Sequence, residues 1–342
     1  MTTRDNLTTV LEGGAPDQTP LSLYNWMMDD PTSDRWRRLL DAGLGVSQHC
    51  NTVRHVEHGV VNAEEERIEG DRHYRIYRKE TSVGTLQRVT LNGWHYEDWL
   101  KTPEDYKIQQ WIVEHVELVP DYEDFERAEA LVGDYGVTIV SGSRTPAMSI
   151  NVDWAGTEQF CLDVAMELPE LFDLFEAQKR VFMEETRLIA AGPGRYVKWW
   201  ENLTTCMYGP RRYEDLLLSV YEDATPILEA ADKRVMVHYD GALRAVAEPI
   251  ARAPFHMIES LTEPPEGDMT YDECRAAWPH KVLWGNINVG RYYRPAAELR
   301  EAVIAMRERA GKRAFAFEIS EDLPRNWEES VPVALSALEG LD

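Results

Sequence analysis

The sequence predicts a (β/α)8 barrel. Eight short runs rich in apolar, β-branched or aromatic residues recur along the chain, as buried parallel strands do. Longer segments with three-four apolar spacing, the mark of amphipathic helices, lie between them. A doubly wound open sheet is the alternative. It loses its main positive sign because no GxGxxG motif follows an early strand.

Taken in order, residues 1–20 are polar and contain Gly and Pro, so they read as an entry arm. The first two strands are placed at 20–24 (PLSLY) and 44–50 (LGVSQHC). Residues 53–92 then break the rhythm. The stretches 53–58, 72–77 and 85–90 alternate with period two, which predicts antiparallel strands joined by polar turns, a β-hairpin insertion. Barrel strands resume at 136–141 (GVTIVS). A helix is predicted over 169–191, where Leu171, Leu174, Phe175, Val181, Phe182 and Leu188 form one stripe and Gly192-Pro193 stops it. Strand 196–201 (YVKWWE) follows, then a helix over 211–231, opened by Gly209-Pro210 and expected to kink or end near Pro226. The remaining strands fall at 234–240 (RVMVHYD), 255–260 (FHMIES), 281–286 (KVLWGN) and 313–318 (RAFAFE). Pro295 opens a further helix that Gly311 closes. The whole of 1–342 reads as one barrel domain with 53–92 inserted.

Composition agrees with a globular chain, 44% apolar and 28% charged over 342 residues. Thirty-six Lys and Arg against sixty Asp and Glu give −24. That charge excludes a non-specific nucleic-acid binder or a reader of anionic membranes. It leaves a small-molecule substrate as the expected partner and is compatible with a homodimer. The four cysteines are irregularly spaced, with no CxxC, which suits a reducing compartment. The N-terminus lacks the apolar stretch of a signal peptide, and no run of about 18 apolar residues occurs. The expected location is cytoplasmic.

In a barrel, the working residues stand at the C-terminal ends of strands and in the loops beyond. His49 and Cys50, Glu201 and Asn202, His238 to Gly241, Glu259, Trp284 to Asn286, and Glu318 occupy such positions. The sharpest is HYDG. His238 and Asp240 are two apart and share one face of an extended strand. Imidazole and carboxylate hold a divalent metal if a third ligand arrives, and Glu318 is the best-placed candidate. The same His238 and Asp240 pair also suits a general base and its orienting acid, or a hydrogen-bonded helix cap. Glu201, Asn202, Glu259, Trp284 and Asn286 are candidates for substrate binding, aromatic and amide groups being suited to stacking and orienting a ring. Cys206 is weighed as pocket lining and more readily as a small buried hydrophobe. His55 and His58 fall on opposite strand faces, and Glu64-Glu65-Glu66 is a solvated charge run.

The stretch from His238 to Ile287, HYDGALRAVAEPIARAPFHMIESLTEPPEGDMTYDECRAAWPHKVLWGNI, resembles the C-terminal half of the uroporphyrinogen decarboxylase superfamily. It looks most like the corrinoid-dependent methyltransferase members. ENLTTCMYGPRRYEDLLLSVYEDATPIL resembles the family's substrate loop and long helix, and ISEDLPRNWEESVPVALSAL its last turn and helix. The likeness covers about 195–342 and extends more weakly from about 80. It implies a (β/α)8 barrel, a zinc site built from a His-x-Cys pair and a distant Cys, and a corrinoid presented by a partner protein. Here His238 matches the His, Asp240 stands at the first Cys, and Glu318 lies near the second. Exchanging thiolates for carboxylates hardens the site and favours an oxygen nucleophile or leaving group over thiol activation. The Arg-rich N-terminal motif of the true decarboxylases is missing. A decarboxylase or lyase with a His238 and Asp240 proton relay is the runner-up, and a non-catalytic binding protein the third reading.

Overall fold

The computed structural model describes residues 1–341, with the side chains of 205–207 outside the description, so the Cys206 thiol is not among the described groups. The chain divides into two compact units.

The first unit holds Met1–Thr52, Asp121–Gly142 and the chain from Ala190 onward. Its core is a closed barrel of eight parallel strands. They are β1 (Leu21–Tyr24), β2 (Leu44–Cys50), β3 (Gly136–Gly142), β4 (Tyr196–Trp199), β5 (Arg234–His238), β6 (Met257–Leu261), β7 (Val282–Asn286) and β8 (Phe315–Glu318). Every strand pairs with its chain neighbours, and β1 closes on β8 through Ser22 opposite Glu318. The eight strands expected from sequence are the eight of the barrel.

The N-terminal helix Thr3–Leu11 seals one end. A capping box between Thr2 and Asp5 starts it. Leu7, Val10 and Leu11 are fully buried in the same cluster as Met236, Met257 and Trp284 from the barrel interior. Burying each such side chain stabilises by roughly 1.5–3 kcal/mol. Nine residues of the entry arm are thus helical. Pro226 lies inside the helix Ser219–Ala230, one turn before its end. Pro226 and Glu222, whose carbonyl loses its donor, both face solvent, so water can satisfy the freed group. Burial pushes the Cys50 and Cys274 thiols up to about 12, which keeps both as inert hydrophobes.

The second unit holds Val53–Pro120 and Ser143–Ile189. Period two correctly marks antiparallel strands, but the pairing differs from a single hairpin. Val53–Glu57 pairs with Val116–Pro120. A separate four-stranded meander runs through Val61–Glu69, Arg72–Thr81, Gly84–Leu91 and Trp94–Glu97. The Glu64-Glu65-Glu66 run lies exposed on its first strand, whose polar composition hid it from a hydrophobic pattern. His55 meets Glu185 at 3.1 Å and His58 meets Glu117 at 2.7 Å.

Among the described residues, no helix is long and apolar enough to cross a membrane.

Candidate active site

Inward-facing residues on a barrel strand are two apart. Along five strands their character turns from apolar to polar toward the C-terminal end. Tyr196 precedes Lys198 on β4, Met236 precedes His238 on β5, and Met257 precedes Glu259 on β6. Trp284 precedes Asn286 on β7, and Ala316 precedes Glu318 on β8. The barrel is therefore a packed core below and a polar chamber above.

Glu259 is the hub of that chamber. It is 2% exposed, accepts hydrogen bonds from His238 and Tyr24, and forms an ion pair with Lys198. The His238 Nδ1 and Lys198 Nζ each lie 2.8 Å from its Oε2, and the Tyr24 hydroxyl lies 2.5 Å from its Oε1. Burial by itself would raise the Glu259 carboxyl; the charges of Lys198 and His238 more than reverse this and hold it ionised. Burial also lowers Lys198, against the pull of Glu259. The Lys198 ammonium sits 3.7 Å from the Trp200 ring centroid and 4.6 Å from that of Tyr24, two cation–π contacts in a desolvated setting. Trp26 stacks on Tyr24 at 4.5 Å, and His49 lies 5.1 Å from Trp200. Burial first, then Lys198, holds the His49 imidazole well below its usual range and hence neutral.

A proton on His238 Nδ1, donated to Glu259, leaves a lone pair on Nε2. That atom is 3.8 Å from Asp240 Oδ2 and 3.6 Å from Glu321 Oε1. His238, Asp240 and Glu321 offer donor atoms all within 4.8 Å of one another, a group able to hold a metal ion. Each donor is fixed by a neighbour. Glu259 holds His238 at 2.8 Å, and Asn202 Nδ2 holds Asp240 at 2.9 Å. The Ser260 hydroxyl holds Glu321 at 2.5 Å and itself receives Asn286 Nδ2 at 2.7 Å. Two of these holders need unusual backbone. Asn202 has φ +50°, which Asn tolerates, and Ser260 has φ +65° where the β6–β7 register shifts. This bulge aims Ser260.

The structure brings His238, Asp240, Glu259, Asn202 and Asn286 together. Asp240 stands in the loop just past β5 rather than on the strand with His238. Glu318 is not in the donor group. It ends β8 inside the barrel, where Ser22 donates to it at 2.8 Å and Ser47 at 3.2 Å. Burial, then the adjacent Glu259 charge, pushes its carboxyl up to about 8, so it carries a proton at neutral pH. Glu321, three residues on in the following loop, takes the place expected for Glu318. Trp284 is fully buried in the core cluster, its Nε1 3.2 Å from Ser22 Oγ. Glu201 is fully buried and hydrogen-bonds Tyr221, whose hydroxyl also meets Tyr239 at 2.9 Å.

Sequence reasoning passed over Lys198, Ser260 and Glu321. Lys198 had a signal, a lysine on the inward register of an otherwise apolar strand. Ser260 and Glu321 had none, because a bulge and a loop path place them.

No protein-family model matches the sequence, and no curated protein matches it. A solved methyltransferase from Methanosarcina mazei is similar in structure, with TM-score 0.59 and 10% identity over 98% of each chain. A Bacteroidetes-affiliated cellulase is more distant, with TM-score 0.35 and 12% identity over 66% of this chain and 77% of that one. At such identity the first likeness establishes a shared barrel fold.

Proposed function

We propose that the chain is a cytoplasmic methyltransferase of the uroporphyrinogen decarboxylase superfamily. It moves a methyl group between a small methylated compound, a methoxylated one in particular, or a folate, and a corrinoid presented by a partner protein. One observation carries the reading. His238, Asp240 and Glu321 converge at the C-terminal mouth of the barrel, and each is separately anchored by Glu259, Asn202 or Ser260. A donor held from behind in this way is the usual construction of a metal-ligand set. The sequence resemblance supplies the methyl-transfer and corrinoid parts, and the likeness to a methyltransferase barrel is consistent with them.

The donor set suits a divalent ion. Three protein ligands with an open position is the ligand count of catalytic zinc, and imidazole and carboxylate are both zinc ligands. Such an ion, bound there, supplies Lewis-acid polarisation of a substrate oxygen.

The remaining chemistry belongs to the chain. Taking a methyl group from an oxygen leaves that oxygen needing one proton. Glu318 keeps a proton on its carboxyl above neutral pH. Glu259 fixes the His238 tautomer, and Lys198 balances the Glu259 charge without occupying the His238 Nε2 lone pair. Trp26, Trp200 and Tyr24 offer ring faces beside the network.

A second reading is a metal-free lyase. It is favoured by the Glu259–His238 hydrogen bond, which is also the arrangement of a general base and its orienting acid. Purified protein mixed with cob(I)alamin and a panel of methoxylated compounds separates the two. Spectral conversion of the corrinoid, dependent on bound zinc and lost in His238→Ala, is the expected result. Zinc-loaded protein that shows no conversion with any donor overturns the first reading.

A further inference from the structure

A cavity of about 560 Å³ lies at the end of the barrel opposite His238, where β5, β7 and β8 begin. Arg234, Arg275, His280, Lys312 and Arg313 line it, and Glu12 is the one acid among its described lining residues. In a chain of 36 bases and 60 acids, this excess of positive charge is out of character.

The acid does not neutralise the bases. Both Glu12 oxygens are taken by Arg195, at 2.6 and 2.9 Å, and Tyr196 adds a third donor at 3.0 Å. Arg275 is fixed entirely by carbonyls, of Lys281 at 2.8 Å, Ala314 at 3.0 Å, Arg313 at 3.2 Å and Ala310 at 3.4 Å. Its charge therefore stays uncompensated while its position is rigid. Arg313 donates its Nε to the Gly13 carbonyl at 2.7 Å, and its terminal nitrogens meet no acceptor among the described residues. Among the described residues Arg234 pairs with no carboxylate, and its buried Nε has no hydrogen-bond partner. Nearby, burial and then the charges of Arg234 and Lys281 hold the His256 imidazole down to about 4, although Glu229 lies 3.2 Å from its Nε2.

A buried donor without a partner is costly, and uncompensated guanidinium groups around one cavity are the usual preparation for an oxyanion. We propose that this cavity binds a small phosphate-bearing anion, such as a pyrophosphate or phosphate ester, with Arg234 and Arg313 donating to it and Arg275 fixed behind them as a charge. The site is separate from the His238 mouth and independent of the reaction performed there.

Calorimetric titration of the full-length protein with inorganic pyrophosphate tests this, in EDTA and at constant ionic strength. Saturable binding is expected. Arg234→Gln and Arg313→Gln should each weaken it about tenfold, a loss of roughly 1.4 kcal/mol. Arg234→Lys should restore part of the affinity, and His238→Ala should leave it intact. Thermal melts without ligand check that each variant is folded. Absence of saturable heat at millimolar pyrophosphate overturns the proposal, as does binding unaffected by both arginine changes or abolished by His238→Ala. Citrate bound as tightly as pyrophosphate overturns the assignment to phosphate.

Discussion

His238 on β5 and Glu259 on β6 stand opposite each other in register, and the Glu259 carboxylate accepts the His238 Nδ1–H at 2.8 Å. The same oxygen is 2.8 Å from the Lys198 ammonium, so one carboxylate both orients the imidazole and neutralises a buried cation. Glu259→Gln keeps the shape and removes the charge. Zinc affinity, measured by competition with a chromophoric chelator, should fall about 10–100-fold. Leaving Lys198 buried and unpaired should cost about 3–5 kcal/mol in denaturant unfolding. Adding Lys198→Met should recover most of that stability and none of the metal affinity. Recovery of both would show that Glu259 acts on the metal site only through Lys198.

Metal content separates Glu321 from Glu318. His238→Ala, Asp240→Asn and Glu321→Gln should each reduce zinc retained after dialysis to well below one equivalent. Glu318→Gln should retain it, because Ser22 and Ser47 hold Glu318 inside the barrel. Asn202→Ala removes the Asp240 anchor and should give an intermediate loss. Zinc retained in Glu321→Gln and lost in Glu318→Gln would restore the sequence-based assignment.

Stability should depend on pH through Glu318 with a definite sign. Its carboxyl is raised from 4.5 to about 8 in the folded chain, so folding favours the protonated form. The contribution is fully present below pH 4.5 and is lost as pH rises toward 8. The full swing is roughly 3–5 kcal/mol, since one unit is worth about 1.4 kcal/mol. Glu259 acts the other way. Its carboxyl is lowered, so its contribution is lost as pH falls through the acid range. Unfolding free energies between pH 5 and 9 should therefore decline in the parent and stay flatter in Glu318→Gln. Parallel curves would mean that Glu318 is ionised throughout.

Most of the barrel was readable because its signals are local. Each strand is a short apolar run, and a buried parallel strand needs nothing more. The polar residues ending those runs marked His238, Glu259 and Asn286, since a packed interior has no use for them. Glu321 and Ser260 were not readable, because their placement depends on a loop path and a register shift that no spacing encodes. Asn202 was found as a polar strand end, but its task, holding Asp240, appears only in three dimensions. The alternation over 53–58 marks the strand Val53–Glu57, while its partner, Val116–Pro120, lies beyond the reach of a local pattern.

Ser260 gives a test in which backbone strain and hydrogen bonding oppose each other. Its φ of +65° is unfavourable for any residue with a Cβ, and its hydroxyl links Asn286 to Glu321. Ser260→Ala and Ser260→Gly lose the same hydroxyl and leave the same partners unsatisfied, so both should bind zinc about equally weakly. They differ in strain. Within an ordinary strand glycine is the less stable of the two by roughly 0.5–1 kcal/mol. At this left-handed position the order should reverse, with Ser260→Gly more stable than Ser260→Ala by about 1 kcal/mol. Chemical denaturation of the two variants decides it. Alanine proving the more stable would mean that the bulge relaxes and that Ser260 is not held in place for Glu321.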